Sequence, residues 1–561
     1  MKSRSNFQVV IRADAGPLVG LGHVMRMIAL AQALQDRGAA VVFVVLSCPE
    51  ALIARLGAEG FRVEQLTDCQ SGSTDDAQRT VAIATALNAR WIILDGYAFG
   101  SDFQLVCTDS CARVLCVDDC HYSDRWHAAA LLNQNLHALS ERHTYSLIAP
   151  DAGLWLGPRF ALMRREFWRA PRLTVDRDGH ARRVLVSMGG ADGPNATALI
   201  LEALALLRDQ QPRVSVLVGI SNSHRVQLEA LCGQYGSRFE IIDGVTDMAS
   251  LLEQVDAVIT AGGSTCWEVL WARKPAAVLV IADNQQPIAD SLQEQGLMFS
   301  LGRIGDATAL ELAGRLEEWL WNMQVPKNAC PVDGKGARRV AAALDGRYSV
   351  TIATASEGWL MPHLASLKAA LEAANCLVHV VSSIDQMKGG DFLLLLSYWA
   401  IVPQEVLEKY LHSLIVHESD LPEGRGWSPA TWAILAGNNR IPLCLLEAAE
   451  RVDSGDIYLR SEIHLEGHEL VQEWRGILAA KVVEMCLQFI ATFPAIASAP
   501  DKQPLAGTYL PRRHPADSQL DACKTLVQQF NLLRTVDNAS YPAFFDHLGH
   551  RYLLRIEKAT P

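Results

Sequence analysis

No stretch of this 561-residue chain approaches the roughly 18 consecutive apolar residues of a membrane-crossing helix. The apolar run Ala39–Leu46 has only the length of a strand. Met1–Phe7 is polar and shows no signal-peptide pattern, so the expected compartment is the cytoplasm, with no membrane partner. Positive charge is also scarce. Fifty Lys and Arg stand against 62 Asp and Glu, a net charge of −12, which argues against bulk binding to nucleic acid but leaves room for a small basic pocket around a pyrophosphate. The 13 cysteines are scattered. Cys116 and Cys120 stand four positions apart, as do Cys107 and Cys111, and the reading is reduced thiols and no metal. Internal repeats and low-complexity segments are missing too. A homodimer is left open.

What is present is an ordinary globular composition, 50% hydrophobic and 20% charged. At about 150 residues per domain, the length calls for three or four compact units. In the first half, short β-branched runs alternate with amphipathic segments: Phe7–Arg12, Ala39–Leu46, Trp91–Leu94 and Arg113–Val117 read as strands, Val24–Arg37 and Cys48–Ala58 as helices. A second series runs through Val184–Ser187, Arg213–Val218, Phe239–Ile242, Ala257–Thr260 and Ala276–Ile281. The expected fold class is α/β: two Rossmann-like lobes, about 1–165 and 166–345, with ligands at the carboxyl ends of their strands. The texture changes over Val325–Tyr348, so a third, Rossmann-like domain is expected over 346–500. A small C-terminal subdomain is expected over 501–561, helical at Asp521–Arg534.

Three loops in the first half carry chemistry. Strand Val9–Arg12 runs into Asp14 and then Gly20-Leu21-Gly22-His23, where glycines allow close backbone approach and a helix start offers free N–H groups to an anion. His23 opens toward the expected cleft, although a lone histidine there is as readily a turn residue. Ser187-Met188-Gly189-Gly190 ends a strand of the second series. Ala261-Gly262-Gly263-Ser264-Thr265 leads into a helix carrying Glu268. The N–H groups of Gly263 to Thr265 suit a pyrophosphate, and Glu268 suits a ribose diol. Asn284 and Gln285 follow a third strand and offer amides to sugar hydroxyl or N-acetyl groups.

Together "IRADAGPLVGLGHVMR", "LDGYAF", "LLNQN", "VLVSMGGADGPN", "ITAGGSTCWE" and "ADNQQ" resemble the hydrolases that cleave UDP-2,4-diacetamido-2,4,6-trideoxy-β-L-altropyranose in pseudaminic acid biosynthesis, over about residues 7–345. The resemblance implies a GT-B-like pair of lobes whose second lobe grips UDP. It also implies that His23 is a general base or orients the attacking water, and that UDP leaves with inversion and no metal. Tyr97 and Asn284 fall on family positions near the reacting sugar, and Asp14 would orient His23 or bind substrate.

In the second half, His417, Pro422, Gly424, Arg425, Gly426, Pro429 and Trp432, then Asp453 and Gly455, resemble the 10-formyltetrahydrofolate-dependent formyltransferases. The tail "YLPRRHPADSQLDA" with "NLLRTVDNASYPAFF" resembles the C-terminal part of sugar N-formyltransferases. The resemblance implies His417 and Asp453 as the catalytic pair, 36 positions apart (453 minus 417), with Pro422, Gly424 and Gly426 at the folate donor. The family's asparagine two residues before the histidine is Ile415 here; either another amide, Asn438 or Asn439, takes the role, or the domain is impaired. The expected function is bifunctional: formylation of the 4-amino group of a UDP-4-amino-4,6-dideoxy sugar, then hydrolysis to release UDP. Two rivals stand beside it, a GT-B glycosyltransferase first half and a non-catalytic sugar-binding second half.

Overall fold

The computed structural model describes residues 7–16, 19–172, 182–209, 211–219, 221–323, 331–355, 358–504 and 506–559. Contacts divide the chain into two units, Met1–Asp345 and Gly346–Pro561.

The first unit is GT-B-like, a pair of Rossmann-like lobes. In the first lobe, β1 (Gln8–Ala13), β2 (Ala40–Val45), β3 (Arg62–Gln65), β4 (Ala89–Asp95), β5 (Arg113–Val117), β6 (Ala130–Asn133) and β7 (Gly153–Leu156) form one sheet. Its order is β3-β2-β1-β4-β5-β6-β7 and every pairing is parallel. Strands buried on both faces need continuous apolar runs, and Val9–Ala13 and Ile92–Leu94 are buried throughout. The second lobe holds β8 (Arg183–Ser187), β9 (Arg213–Leu217), β10 (Phe239–Ile242), β11 (Ala257–Ala261), β12 (Ala276–Val280) and β13 (Phe299–Arg303). Their order, β10-β9-β8-β11-β12-β13, repeats the same winding. The strand order reverses beside β1 in one lobe and beside β8 in the other, and these switch points are where such sheets open a crevice.

The unit's last helix, Gly336–Asp345, packs in the first lobe. Ala337, Val340, Ala341 and Leu344 join the core of the first lobe with Val24, Ile28 and Trp91, and the Trp91 indole N–H donates to the Leu344 carbonyl at 2.8 Å.

The second unit contains β14 (Tyr348–Ala353), β15 (Cys376–Val381), β16 (Gly390–Leu395), β17 (Tyr410–His417), β18 (Arg425–Gly426), β19 (Arg440–Glu447), β20 (Ile457–His464), β21 (Tyr509–Leu510), β22 (Ala543–His547) and β23 (His550–Leu554). The main sheet runs β15-β14-β16-β17-β19-β20, parallel through β17 and antiparallel beyond it. The tail is strapped to this sheet's loops: β21 pairs with β18, and Asp501 bridges Ile457. The helix expected over Asp521–Arg534 is a correction. Only Phe530–Leu533 is α-helical, preceded by a 3-10 turn at Val527–Gln529. The Asp521 carboxylate accepts the Cys523 N–H (2.9 Å), and the Gln529 amide bonds the Asp521 backbone on both sides, so side chains take the backbone groups a helix would use.

Candidate functional site

The carboxyl ends of the strands in both lobes of the first unit line a cleft of about 1030 Å³. His23 sits in the first turn of the helix Gly22–Asp36, with Gly22 open to the cleft at its start. Burial holds the His23 imidazole below its ordinary range, with Asp95 and Asp119 opposing and Arg26 adding to the effect. The ring is therefore neutral near pH 7. Its Nδ1 is buried without a partner among the described residues, and the ring packs edge-on against Tyr97 at 4.9 Å.

One helical turn on from His23, Arg26 forks between two carboxylates. It donates to Asp95 at 2.6 and 2.7 Å and to Asp119 at 2.8 and 2.9 Å. Burial opposes ionisation of Asp119, yet Arg26 overrides it and holds the carboxyl well below its usual range. Asp119 also accepts from the Asn135 amide (2.9 Å) and the Tyr97 hydroxyl (3.2 Å). The Tyr97 oxygen in turn accepts from Asn284 of the second lobe at 2.7 Å. Asn284, Tyr97, Asp119 and Arg26 thus form one chain of polar contacts across the cleft, and the chain passes beside His23.

Asp14 stands elsewhere. Burial would raise its carboxyl, but Arg12 overrides it and lowers it. Its oxygens accept from Arg12 (2.7 and 2.9 Å), the N–H groups of Leu46 and Ser47, and the Ser71 hydroxyl. The expectation that Asp14 orients His23 is corrected: these four partners take the carboxylate and no bond to His23 forms. Asp14 still borders the cleft.

On the facing lobe, the Gln285 carbonyl oxygen accepts the N–H groups of Gly262 (3.2 Å) and Ile281 (3.0 Å), so this amide holds two loops together. The Gly263 N–H donates to the Ala261 carbonyl at 2.8 Å. This narrows the expected anion cradle, leaving the amides of Ser264 and Thr265. Glu268 lies in the helix Thr265–Trp271 and borders the cleft. Its carboxyl is raised by burial and opposed by Arg164, whose guanidinium lies 3.0 Å away. Gly190 packs against the first lobe, since a Cβ there would come within 2.6 Å of the Leu21 side chain.

The second unit carries its own cluster. His417 ends β17 and is buried. Its Nε2 lies 2.9 Å from the Gly424 carbonyl, and its Nδ1 lies 3.6 Å from Asp453 Oδ1. The other Asp453 oxygen accepts the Gly426 N–H at 2.9 Å. The Gly424 carbonyl can only accept, so Nε2 is the nitrogen that carries hydrogen toward it, while Nδ1 faces the Asp453 carboxylate. Gly426 has φ +103°, and a Cβ would strike the Leu510 carbonyl at 2.5 Å; only glycine lets β18 lie this close to β21. Pro422 and Gly424 shape the turn between His417 and β18.

Ile415 points to the same face as His417, because alternate residues of a strand share a face. Neither Asn438 nor Asn439 replaces the missing amide. His417 pairs with Cys444, and Asn439 lies five positions further along, about 17 Å away, where its oxygen accepts from Arg534 at 2.8 Å.

Two site residues escaped the sequence reading. Asp119 follows the end of β5 as the second aspartate of "VDDC", and that position at a strand's carboxyl end was the available signal. Glu418 adjoins His417, and its carboxyl is raised by burial, with His417 opposing and Asp453 adding to the rise; a carboxylate next to the key histidine was equally visible.

Comparison with known proteins separates the two units. Residues 362–479 match the formyl transferase model, and residues 184–298 match the glycosyltransferase family 28 C-terminal domain. The second unit carries a formyl transferase domain. The His417–Asp453 pair lies within that domain, and the Ser264–Glu268 helix start lies within the family 28 match. An uncharacterized protein, MJ1062, of Methanocaldococcus jannaschii is 23% identical over 287 residues, covering 50% of this chain and 57% of its own. The spore coat polysaccharide biosynthesis protein SpsG of Bacillus subtilis is 24% identical over 354 residues, covering 61% of this chain and 99% of its own. The methionyl-tRNA formyltransferase of Ruegeria pomeroyi is 29% identical over 141 residues, covering 25% of this chain and 46% of its own. The chain thus spans about half the length of the first and last of these. No helix among the described residues is long and apolar enough to cross a membrane, and no group of three or more of them is arranged to hold a metal ion.

Proposed function

We propose that the chain carries out two steps on one nucleotide sugar in the cytoplasm: N-formylation of a sugar amine by the second unit, and release of UDP by the first. The observation that carries this reading is the His417–Asp453 pair, locked by the β18 loop inside a formyl transferase domain. 10-Formyltetrahydrofolate, when bound, supplies an activated formyl carbon. The sugar amine attacks that carbon, a C–N bond forms to the sugar, and the bond to the folate nitrogen breaks. His417, turning its Nε2–H from the Gly424 carbonyl, stabilises the tetrahedral oxyanion by hydrogen bonding, while Asp453 holds the ring, takes up the amine proton and returns it to the departing folate nitrogen. Ile415 leaves this oxyanion one donor short, a deficit of about 10²–10³ in rate relative to a site that has it.

In the first unit, neutral His23 receives a proton from water as its oxygen attacks the anomeric carbon, and the C–O bond to UDP breaks with inversion. The amides of Ser264 and Thr265 face the departing diphosphate, Glu268 faces the ribose, and Tyr97 and Asn284 face the sugar. The pseudaminic acid route, with a 2,4-diacylamino-2,4,6-trideoxy sugar, is the proposed setting.

A second reading draws on the family 28 match: the first unit transfers the sugar to an acceptor hydroxyl instead of water. Incubating the purified chain with an acylated UDP-sugar and no acceptor separates the two. UDP appearing in step with free sugar supports hydrolysis; no UDP without an added acceptor supports transfer.

A further inference from the structure

Next to the His417–Asp453 pair lies a cationic segment that the proposed chemistry does not use. β21 pairs with β18 in the register Arg425 to Tyr509 and Gly426 to Leu510, and the chain continues as Pro511, Arg512, Arg513 and His514. The Trp427 N–H donates to the Leu510 carbonyl at 3.1 Å, and the Trp432 indole N–H donates to the Pro511 carbonyl at 3.1 Å. Both tryptophans therefore brace this segment. Arg512 lies 4.7 Å over the Trp427 ring, and Arg513 lies 5.7 Å over Trp432.

Neither guanidinium forms an ion pair among the described residues. Arg513 donates once, to the Asp517 backbone carbonyl at 2.8 Å, and its Nη1 is buried without a partner. Nearby carboxylates are turned to other work: Asp517 accepts the His514 N–H and Glu423 the Thr508 N–H. Burial lowers the Arg513 guanidinium, with the Asp517 charge opposing, as expected of a cation whose counter-charge is incomplete. In a chain of net charge −12, two adjacent arginines without paired carboxylates, held by aromatic faces, are a deliberate cationic surface.

The distance to the reacting centre is short. From the Asp453 carboxylate the path is one hydrogen bond of 2.9 Å to Gly426, one strand-to-strand step of about 4.8 Å, then two residues of about 3.3 Å each. In a nucleotide sugar, one pyranose ring separates a reacting amine from the anomeric diphosphate, a comparable separation once an arginine side chain reaches back. We propose that Arg512 and Arg513 form the anion subsite of the second unit and hold the diphosphate of the nucleotide-sugar acceptor. Planar guanidinium forks suit phosphate oxygens, and stacking on tryptophan pre-orients them. This rests on the formyl-transfer reading and names what makes the acceptor a nucleotide sugar.

The other anion in reach is the glutamyl tail of the folate donor, and kinetics tell the two apart. Arg512→Ala, Arg513→Ala and the double variant, made in the full chain, are assayed for formyl transfer with UDP-4-amino sugar and 10-formyltetrahydrofolate varied in turn. Each single variant is expected to raise KM for the amino sugar about tenfold or more, the double variant further. KM for the donor should stay unchanged, kcat should fall less than KM rises, and Arg→Lys should recover part of the loss. An increase confined to the donor KM, or an unchanged acceptor KM in the double variant, overturns the proposal. Calorimetric titration with UDP keeps the subsite separate from the activity: wild type should bind two equivalents and the double variant one. If wild type transfers no formyl group but still loses its second UDP equivalent on substitution, the activity fails and the subsite stands. UDP release by the first unit checks that the variants are folded.

Discussion

Among the described residues, His23 has no bonded orienting partner. In the usual arrangement a carboxylate fixes the ring's tautomer; here Asp14 is spent on Arg12 and Asp119 on Arg26, and edge-on packing against Tyr97 supplies the orientation. His23→Phe keeps that packing but removes the nitrogens, so UDP release is expected to fall at least about a hundredfold with UDP affinity intact. Turnover near wild type in this variant would remove His23 from the chemistry. The pH dependence follows from burial. Because the folded ring titrates below the ordinary value of about 6.5, the acid limb of kcat/KM for UDP release should fall below pH 6.5. The ring's contribution to stability is full above the unfolded value and declines as pH falls from there toward the folded value. An acid limb above pH 6.5 contradicts the assignment. At the other centre, Asp453→Asn and His417→Asn should each abolish formyl transfer while UDP release from an already acylated substrate continues. Loss of both activities would point to misfolding instead.

Elements hold these residues through contacts that sequence distance conceals. The loop glycines and His23 stand out in the sequence because a glycine-rich motif follows the strand Val9–Arg12, and His417 and Asp453 because their motifs resemble those of the formyltransferases. The Tyr97–Asn284 contact joins residues 187 positions apart, and the Arg26–Asp119 fork joins residues 93 apart; single motifs carry no signal for such pairings. The pattern over Asp521–Arg534 reads as helical, yet the Asp521 and Gln529 side chains claim the local backbone. The closing helix Gly336–Asp345 shows the same limit: its apolar stripe announces burial but not which lobe it covers. Since Leu344 is fully buried against the first lobe, Leu344→Ala should cost the first unit about 2–5 kcal/mol. Its thermal transition should move down while the second unit's stays in place, as calorimetry with two resolved transitions would report. An unmoved first transition would mean the helix is not part of that core. Breaking the Arg26 fork by Asp95→Asn should cost about 3–5 kcal/mol, since a buried guanidinium loses half its counter-charge; a loss below 1 kcal/mol on denaturant unfolding would contradict the pairing.

At the scale of the molecule, two units with separate cores occupy one chain, one carrying a formyl transferase domain and the other a family 28 C-terminal lobe. The order of chemistry follows from the substrates. In the proposed function the amine is acylated while the sugar still carries the nucleotide that both units are proposed to grip, and UDP is released afterwards. The measurement that tests this most directly is mass spectrometry of the products formed from a UDP-4-amino-4,6-dideoxy sugar, with and without 10-formyltetrahydrofolate. The account predicts that with the donor the sugar gains the mass of one formyl group, and that free formylated sugar and UDP then accumulate together. A sugar recovered without that mass gain, in the presence of active donor, would contradict it.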